Sequence, residues 1–205
     1  MIAVRTIGRA DVALLPIVLL ATASVAFSAC VGGRAADQEF RNFKTVAARA
    51  PSQGWTAYWL GRDFTVEATT FTGPSVGDFD SQLTGGGATV TYDALPGETQ
   101  PGGGTLTLAE YSSSAWAKAR VLQGPPAGVP VRDVPVAGAH GQLILLAAGT
   151  RPFDEARVYV QLGDTMVMAV ASSGGSSTPG GPDINPLVDP DKLLSVLQHL
   201  RPYPQ

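Results

Sequence analysis

One serine of this chain lies in a pattern that nucleophilic enzymes use. The segment Gly73-Pro74-Ser75-Val76-Gly77 matches Gly-x-Ser-x-Gly, in which a sharp turn from a strand into a helix presents the serine hydroxyl for attack on a carbonyl. Here Gly77 is followed by Asp78-Phe79-Asp80, which predicts a loop rather than a helix, and neither histidine has the spacing of a triad. We therefore expect no enzyme, and a secreted serine hydrolase using Ser75 is the lesser alternative.

Acidic and imidazole side chains are too scattered to predict a metal site. Asp78 and Asp80, with Asp63 elsewhere, offer oxygen ligands of the kind calcium prefers, but no twelve-residue loop ending in glutamate surrounds them. His140 precedes a predicted strand and His199 lies in the last predicted helix, so both are interpreted as structural or surface residues. The expectation is no metal and no cofactor.

Aromatic residues concentrate at one place, where Trp55, Tyr58 and Trp59 lie within five positions. Such residues combine an apolar body with a polar tip, which suits a binding platform. The alternative is that they pack in the core as part of a first strand.

The single cysteine follows a segment typical of export signals. Met1–Asp11 carries a weak positive charge, Val12–Ala29 is uncharged and apolar, and Phe27-Ser28-Ala29-Cys30 ends the run. These residues resemble the lipobox of bacterial lipoproteins, although Phe27 stands where leucine is commonest. The resemblance implies that Cys30 receives a thioether-linked diacylglycerol, with acyl chains such as palmitate, and becomes the mature N-terminus at the extracytoplasmic face of the cell membrane.

Two other interpretations of the N-terminus stay open. Cleavage after Ala21-Thr22-Ala23 would give ordinary secretion. An uncleaved Val12–Val31 helix is long enough to span a bilayer, although Pro16 makes it a poor anchor. The favoured organisation is a signal peptide over residues 1–29, a lipidated Cys30 with a short tether over 30–36, and one extracytoplasmic domain over 37–205.

Periodicity within that domain predicts helices at its two ends and strands between them. A helix from Asp37 to Arg49 would end at Pro51, and Asp189 would cap a Leu-rich helix that Pro202 stops. Ser112–Ser114 can cap an intervening helix over Ala115–Gln123. The predicted strands are Thr56–Leu60, Phe64–Phe71, Ala88–Tyr92, Thr105–Tyr111, Val129–Val136, Gln142–Ala148, Arg157–Leu162 and Thr165–Ala171.

Most connections between these strands are too short for parallel crossovers, and Gly163-Asp164 suits a two-residue hairpin. Gly-rich segments near Gly85–Gly87, Pro101–Gly104 and Ser172–Pro186 predict loops. The expected fold is therefore α+β: one curved antiparallel sheet of about six to eight short strands with three helices packed on it.

Composition excludes several classes of partner. Of 205 residues, 14 are basic and 17 acidic, which gives a net charge of −3 without a basic block, so nucleic acid is not an expected partner. One cysteine cannot build a disulfide framework or a cysteine zinc site.

Two segments bracket the mature chain, Gly54–Phe64 (Gly-Trp-Thr-Ala-Tyr-Trp-Leu-Gly-Arg-Asp-Phe) and Leu193–Pro202. They resemble the bracketing motifs of exported, often lipid-anchored, actinobacterial proteins of uncharacterised activity. The later half is also similar in layout to a domain at the outer ends of some anti-sigma-factor-like membrane proteins. The resemblance implies an envelope protein and supplies no catalytic residue.

The expected function is that of a membrane-anchored extracytoplasmic lipoprotein whose domain binds a protein partner or an apolar ligand. A regulatory or sensory domain beside a membrane signalling protein is the alternative. The partners expected are the membrane, through Cys30, and an envelope protein.

Overall fold

The computed structural model describes residues 36–77, 86–94, 104–117, 128–146, 155–172 and 185–204. Cys30, the proposed signal peptide, Asp78 and Asp80 lie outside these residues, as do most of the three Gly-rich segments. The unit described below runs from Glu39 to Gln205.

The first helix, α1, occupies residues 36–49 and continues into a 3₁₀ turn over Ala50–Gln53. Pro51 has no amide hydrogen to extend the α-helical pattern, and Gly54 closes the turn with a φ of 76° in the left-handed region. Phe43, Ala47 and Ala50 are fully buried along one face of the helix. The predicted N-terminal helix is confirmed.

Eight antiparallel strands form one open sheet in the order β2-β3-β4-β5-β9-β8-β7-β6. Their bounds are β2 Asp63–Val66, β3 Thr69–Gly77, β4 Gly87–Ala94, β5 Thr105–Ser112, β6 Val131–Val136, β7 Ala139–Leu146, β8 Glu155–Leu162 and β9 Thr165–Ser172. The first and last four-strand groups meet where β5 pairs with β9, from Thr105↔Ser172 to Ser112↔Thr165. The predicted antiparallel α+β fold is confirmed.

The predicted strand Phe64–Phe71 was wrong, because the chain reverses within it. Val66 pairs with Thr69 across a two-residue turn, in which Glu67 has a φ of 53°. β3 then continues past Phe71 to Gly77, with a bulge between Thr72 and Ser75 where its register with β4 shifts. The segment that contains Ser75 is thus a strand, and the loop predicted at Asp78-Phe79-Asp80 lies outside the described residues.

The predicted strand Thr56–Leu60 does not join the large sheet. Its central residues form β1 (Tyr58–Trp59), which pairs antiparallel with β10 (Arg201–Pro202). The hydrogen bond from Tyr203 N to Ala57 O, 2.8 Å long, extends this two-stranded sheet by one further contact. Residues near the two ends of the unit therefore form one small two-stranded sheet. We call this sheet of β1 and β10 the small layer.

Two further helices complete the described fold. In α2 (Ser113–Trp116), the Ser112 hydroxyl caps the helix by accepting from Ala115 N, as the serine run predicts. The predicted end of this helix falls outside the described residues. In α3 (Pro190–Leu197), Asp189 Oδ1 accepts from the amides of Asp191 and Lys192, so the predicted cap is confirmed.

The main core lies on one face of the large sheet. Leu106 and Leu108 of β5 are fully buried there, as are Leu193 of α3 and Phe43 of α1. The other face carries a smaller apolar cluster built from Ala109, Tyr111, Ile144, Tyr159 and Met168.

Candidate functional site

Ser75 does not occupy a nucleophile elbow. It lies in the β3 bulge, where its hydroxyl donates to the Thr91 carbonyl 3.4 Å away and contacts no histidine or carboxylate among the described residues. A Cβ at Gly73 would stand 2.7 Å from the Thr91 oxygen, so packing against β4 explains this glycine. The first glycine of the Gly-x-Ser-x-Gly pattern therefore has a packing reason, whereas a Cβ at Gly77 would meet no described atom within 4 Å.

The histidines and acids are not brought together as ligands. His140 Nε2 lies 3.5 Å from Asp133 Oδ1 on the exposed β6–β7 ribbon, and Asp63 is exposed at the start of β2. Within the described residues, no group of three or more potential ligands gathers at one point.

The three aromatic residues do not form one platform. Trp55 is buried, Tyr58 donates its hydroxyl proton to the Leu162 carbonyl, and no ring pair joins the three among the described residues. Trp59 packs instead in an aromatic cluster with ring centroids 6.1 Å from Phe40 and 5.0 Å from Tyr203. All three side chains therefore make packing or hydrogen-bond contacts within the domain, and a role for them in binding stays a prediction.

Buried polar side chains of the large sheet hold segment 56–60 in place. Tyr58 N donates to Glu110 Oε2 at 2.9 Å, and Leu60 N donates to the Tyr92 hydroxyl at 3.0 Å. Thr165 accepts from Thr56 N at 2.7 Å and donates to Thr56 O at 3.1 Å. These bonds satisfy backbone groups on one edge of the segment, while β10 pairs with the other edge.

Glu110 is the buried acid of this arrangement and was not singled out from the sequence. It is fully buried, and its Oε1 has no hydrogen-bond partner in the described part of the chain. Burial raises the pKa of the Glu110 carboxyl well above its usual range, while the bond from Tyr58 N opposes this. Glu110 follows Leu106 and Leu108 at intervals of two residues, so all three side chains point to the same face of β5. This spacing is a sequence signal that could have revealed an inward-facing acid.

A surface groove of about 530 Å³ runs between β2 and α3. We call it the β2–α3 groove. Its strand side consists of four consecutive residues, Phe64–Glu67, and its helix side consists of Lys192, Ser195, Val196 and His199. Spacings of three and four residues place Lys192, Ser195 and Val196 on one face of α3, and His199 follows two residues after the end of the helix at Leu197. Leu60 and Arg201 complete the groove.

Charged groups differ between the two ends of the groove. At one end Lys192 Nζ lies 2.7 Å from Glu67 Oε1, and this hydrogen-bonded pair raises the pKa of Lys192. Beyond the C-terminal end of α3, His199 also lines the groove, as does Arg201 of β10, whose guanidinium lies 5.8 Å from the centre of the Trp59 ring. Neither has an acidic partner among the described residues. The groove thus places apolar side chains beside an arginine that forms no ion pair with any described residue.

The groove combines residues that the sequence analysis treated separately. His199 was interpreted as a surface or structural residue, and nothing had placed Arg201 or Val66 beside it. The described helices include none that is both long and apolar enough to cross a bilayer. No family model, curated protein or solved structure matches this chain.

Proposed function

We propose that this chain is an extracytoplasmic lipoprotein, anchored to the membrane by a diacylglyceryl group on Cys30, whose α+β domain binds a partner in the β2–α3 groove. The groove carries the binding part of the proposal. It brings Phe64, Val66 and Val196 together with the Arg201 cation at an open surface of the domain. Polar and charged residues line the groove beside these apolar ones: Thr65, Glu67, Lys192, Ser195, His199 and Arg201. Apolar side chains beside polar groups that fix orientation are the usual lining of a ligand site.

The anchoring part is supported by the lipobox-like Phe27-Ser28-Ala29-Cys30 sequence. Two acyl chains give durable attachment, because each buried CH₂ contributes about 0.8 kcal/mol. The acidic net charge of −3 gives no attraction to an anionic membrane surface, so the lipid itself would hold the protein there. This anchored form also agrees with the resemblance to exported actinobacterial proteins.

Intact-mass analysis of the protein from membranes tests the anchor. We expect an N-terminal fragment that begins with diacylated Cys30, and we expect Cys30→Ser to remain unmodified and to leave the membrane fraction. An unmodified species beginning at Ser24, or a full-length chain in the membrane, would contradict lipidation.

Site-specific cross-linking tests the groove. A photoreactive amino acid at Ser195, which is exposed within the groove, should give one discrete adduct in native membranes. The same probe at Gln142, exposed on the opposite face of the sheet, is the matched control. The adduct should disappear when Val196→Asp is added. Equal labelling from Ser195 and Gln142 would contradict binding in the groove.

A further inference from the structure

The outer edge of β2 has backbone groups that pair with no other described strand. Gly73 N donates to Arg62 O at 2.9 Å, and the register continues with Phe64↔Phe71 and Val66↔Thr69. Since bonding residues alternate along an antiparallel strand, Asp63 and Thr65 direct their N–H and C=O groups away from β3. In the described part of the chain, β2 is the end strand of the sheet. Such an edge is a template for another strand.

The β2–α3 groove lies against this edge rather than against one face of the strand. Successive side chains of a strand point to opposite faces, yet three consecutive residues of β2, Phe64–Val66, line the groove, and Glu67 of the β2–β3 turn follows them. The Thr65 side chain shares the opposite face with Thr70, with 3.3 Å between their Oγ1 atoms, so the backbone of Thr65 is the part that lies nearest to Phe64 and Val66. A chain lying in the groove would therefore meet the backbone groups of Thr65.

The charge of the groove indicates which kind of peptide segment would bind there. The Lys192–Glu67 pair is internally neutral, so Arg201 supplies the net charge of the groove. Arginine stays protonated at any physiological pH, and its planar fork matches a carboxylate. A carboxylate near Arg201 would be complementary to this charge, whereas a second cation would be repelled.

We propose that the groove binds an extended segment of a partner protein, which adds as a strand beside β2 and places a carboxylate against Arg201. This inference rests on the proposed function and names the partner's chemistry. Alternate residues of the segment would be apolar, facing Phe64, Val66 and Val196, while its backbone bonds to Thr65. Strand addition of this kind gains affinity from the backbone and specificity from side-chain contacts.

Two random ten-residue peptide libraries test the proposal, one with free C-terminal carboxylates and one amidated. Each is selected against the full chain in detergent, with Val196→Asp as the counter-selection target. We expect enriched peptides with alternating apolar residues and a carboxylate. Enrichment confined to the free library assigns that carboxylate to a chain terminus, and enrichment in both assigns it to Asp or Glu. If no peptide is enriched on the unmodified chain relative to the Val196→Asp variant, the proposal is overturned.

Substitutions at Thr65 distinguish strand addition from simple contact. Thr65→Pro removes the outward N–H without removing a β2–β3 hydrogen bond. It should lower the affinity for the selected peptide about tenfold, which is the effect of one backbone hydrogen bond. Thr65→Val is the matched control, since it loses the same contact with Thr70 and keeps the N–H. Arg201→Gln should also weaken binding about tenfold.

Hydrogen exchange gives a measurement that does not depend on the folding of a variant. The Thr65 amide of the unmodified chain should exchange more slowly once the peptide is bound. If peptides bind and require Arg201, but Thr65→Pro and Thr65→Val bind equally and the amide is not protected, strand addition is wrong. The proposed function would then still stand. Failure of both the peptide selection and the Ser195 cross-link would overturn both.

Discussion

Replacing Glu110 by glutamine should remove one source of pH-dependent instability. The Glu110 carboxyl is fully buried between the large sheet and segment 56–60, and its raised pKa means that the folded protein keeps this proton well above the ordinary value of 4.5. The unfolded chain releases the same proton near that ordinary value. The stability linked to this proton is therefore full below pH 4.5 and is lost as pH rises toward the raised pKa.

The size of the effect follows from proton linkage. For each pH unit between the ordinary and the raised pKa, the free energy of unfolding of the unmodified protein falls by about 1.4 kcal/mol relative to Glu110→Gln. Glutamine keeps an oxygen that accepts from Tyr58 N. Its unpaired amide hydrogens cost about 1–3 kcal/mol, but this cost does not change with pH. The slope of the difference, rather than its absolute value, is the quantity predicted.

Urea unfolding of a chain beginning at residue 36, measured from pH 4 to pH 8, tests this prediction. The stability difference should grow in favour of Glu110→Gln above pH 5. Glu67→Gln makes the same chemical change at an exposed position and should show a small difference, because its pair with Lys192 is a surface contact. A difference for Glu110→Gln that is the same at pH 4 and pH 8 would refute the assignment of a proton to this residue.

Three other substitutions test the hydrogen bonds that hold segment 56–60 and the cap of α3. Each is measured by urea unfolding at a fixed pH. Thr165→Val keeps the side-chain shape but leaves Thr56 N and O without their partner, so it should cost about 1–3 kcal/mol; no loss would show that this contact is dispensable. Tyr92→Phe should cost a similar amount, because Leu60 N is left unpaired in the core, and unchanged stability would contradict that bond. Asp189→Ala should lower the free energy of unfolding by about 1 kcal/mol through loss of the α3 cap. Asp189→Asn should retain most of the stabilisation, because asparagine also caps helices.

Local signals explain why the helices were predictable. Asp189 followed by Pro190 starts α3, and Pro51 ends the α-helical part of α1. Each signal acts within a few residues of its own position, so neither needs information about the rest of the fold. The Gly163 turn between β8 and β9 was predictable for the same reason.

Other elements depended on information that the local sequence does not contain. The β2–β3 turn uses Glu67 in the left-handed region, where glycine or asparagine would have given a clear signal. The groove requires β2 to be the sheet edge and α3 to lie beside it, and both depend on pairing between distant residues. Cys30, the strongest candidate from the sequence, lies outside the described residues, so its lipidation stays a prediction.

The pairing of β1 with β10 has a consequence for the order of folding. Tyr58 meets Pro202 across about 140 residues of chain, so the small layer closes only when nearly the whole described unit is available. Contacts this distant in sequence slow folding, since loop closure must precede them. During synthesis, the Ala57 carbonyl and the Trp59 ring lack their contacts with Tyr203 until the C-terminal residues are made. A chain cut before Arg201 should therefore expose this aromatic surface and become a target for proteases, even with the eight-stranded sheet intact.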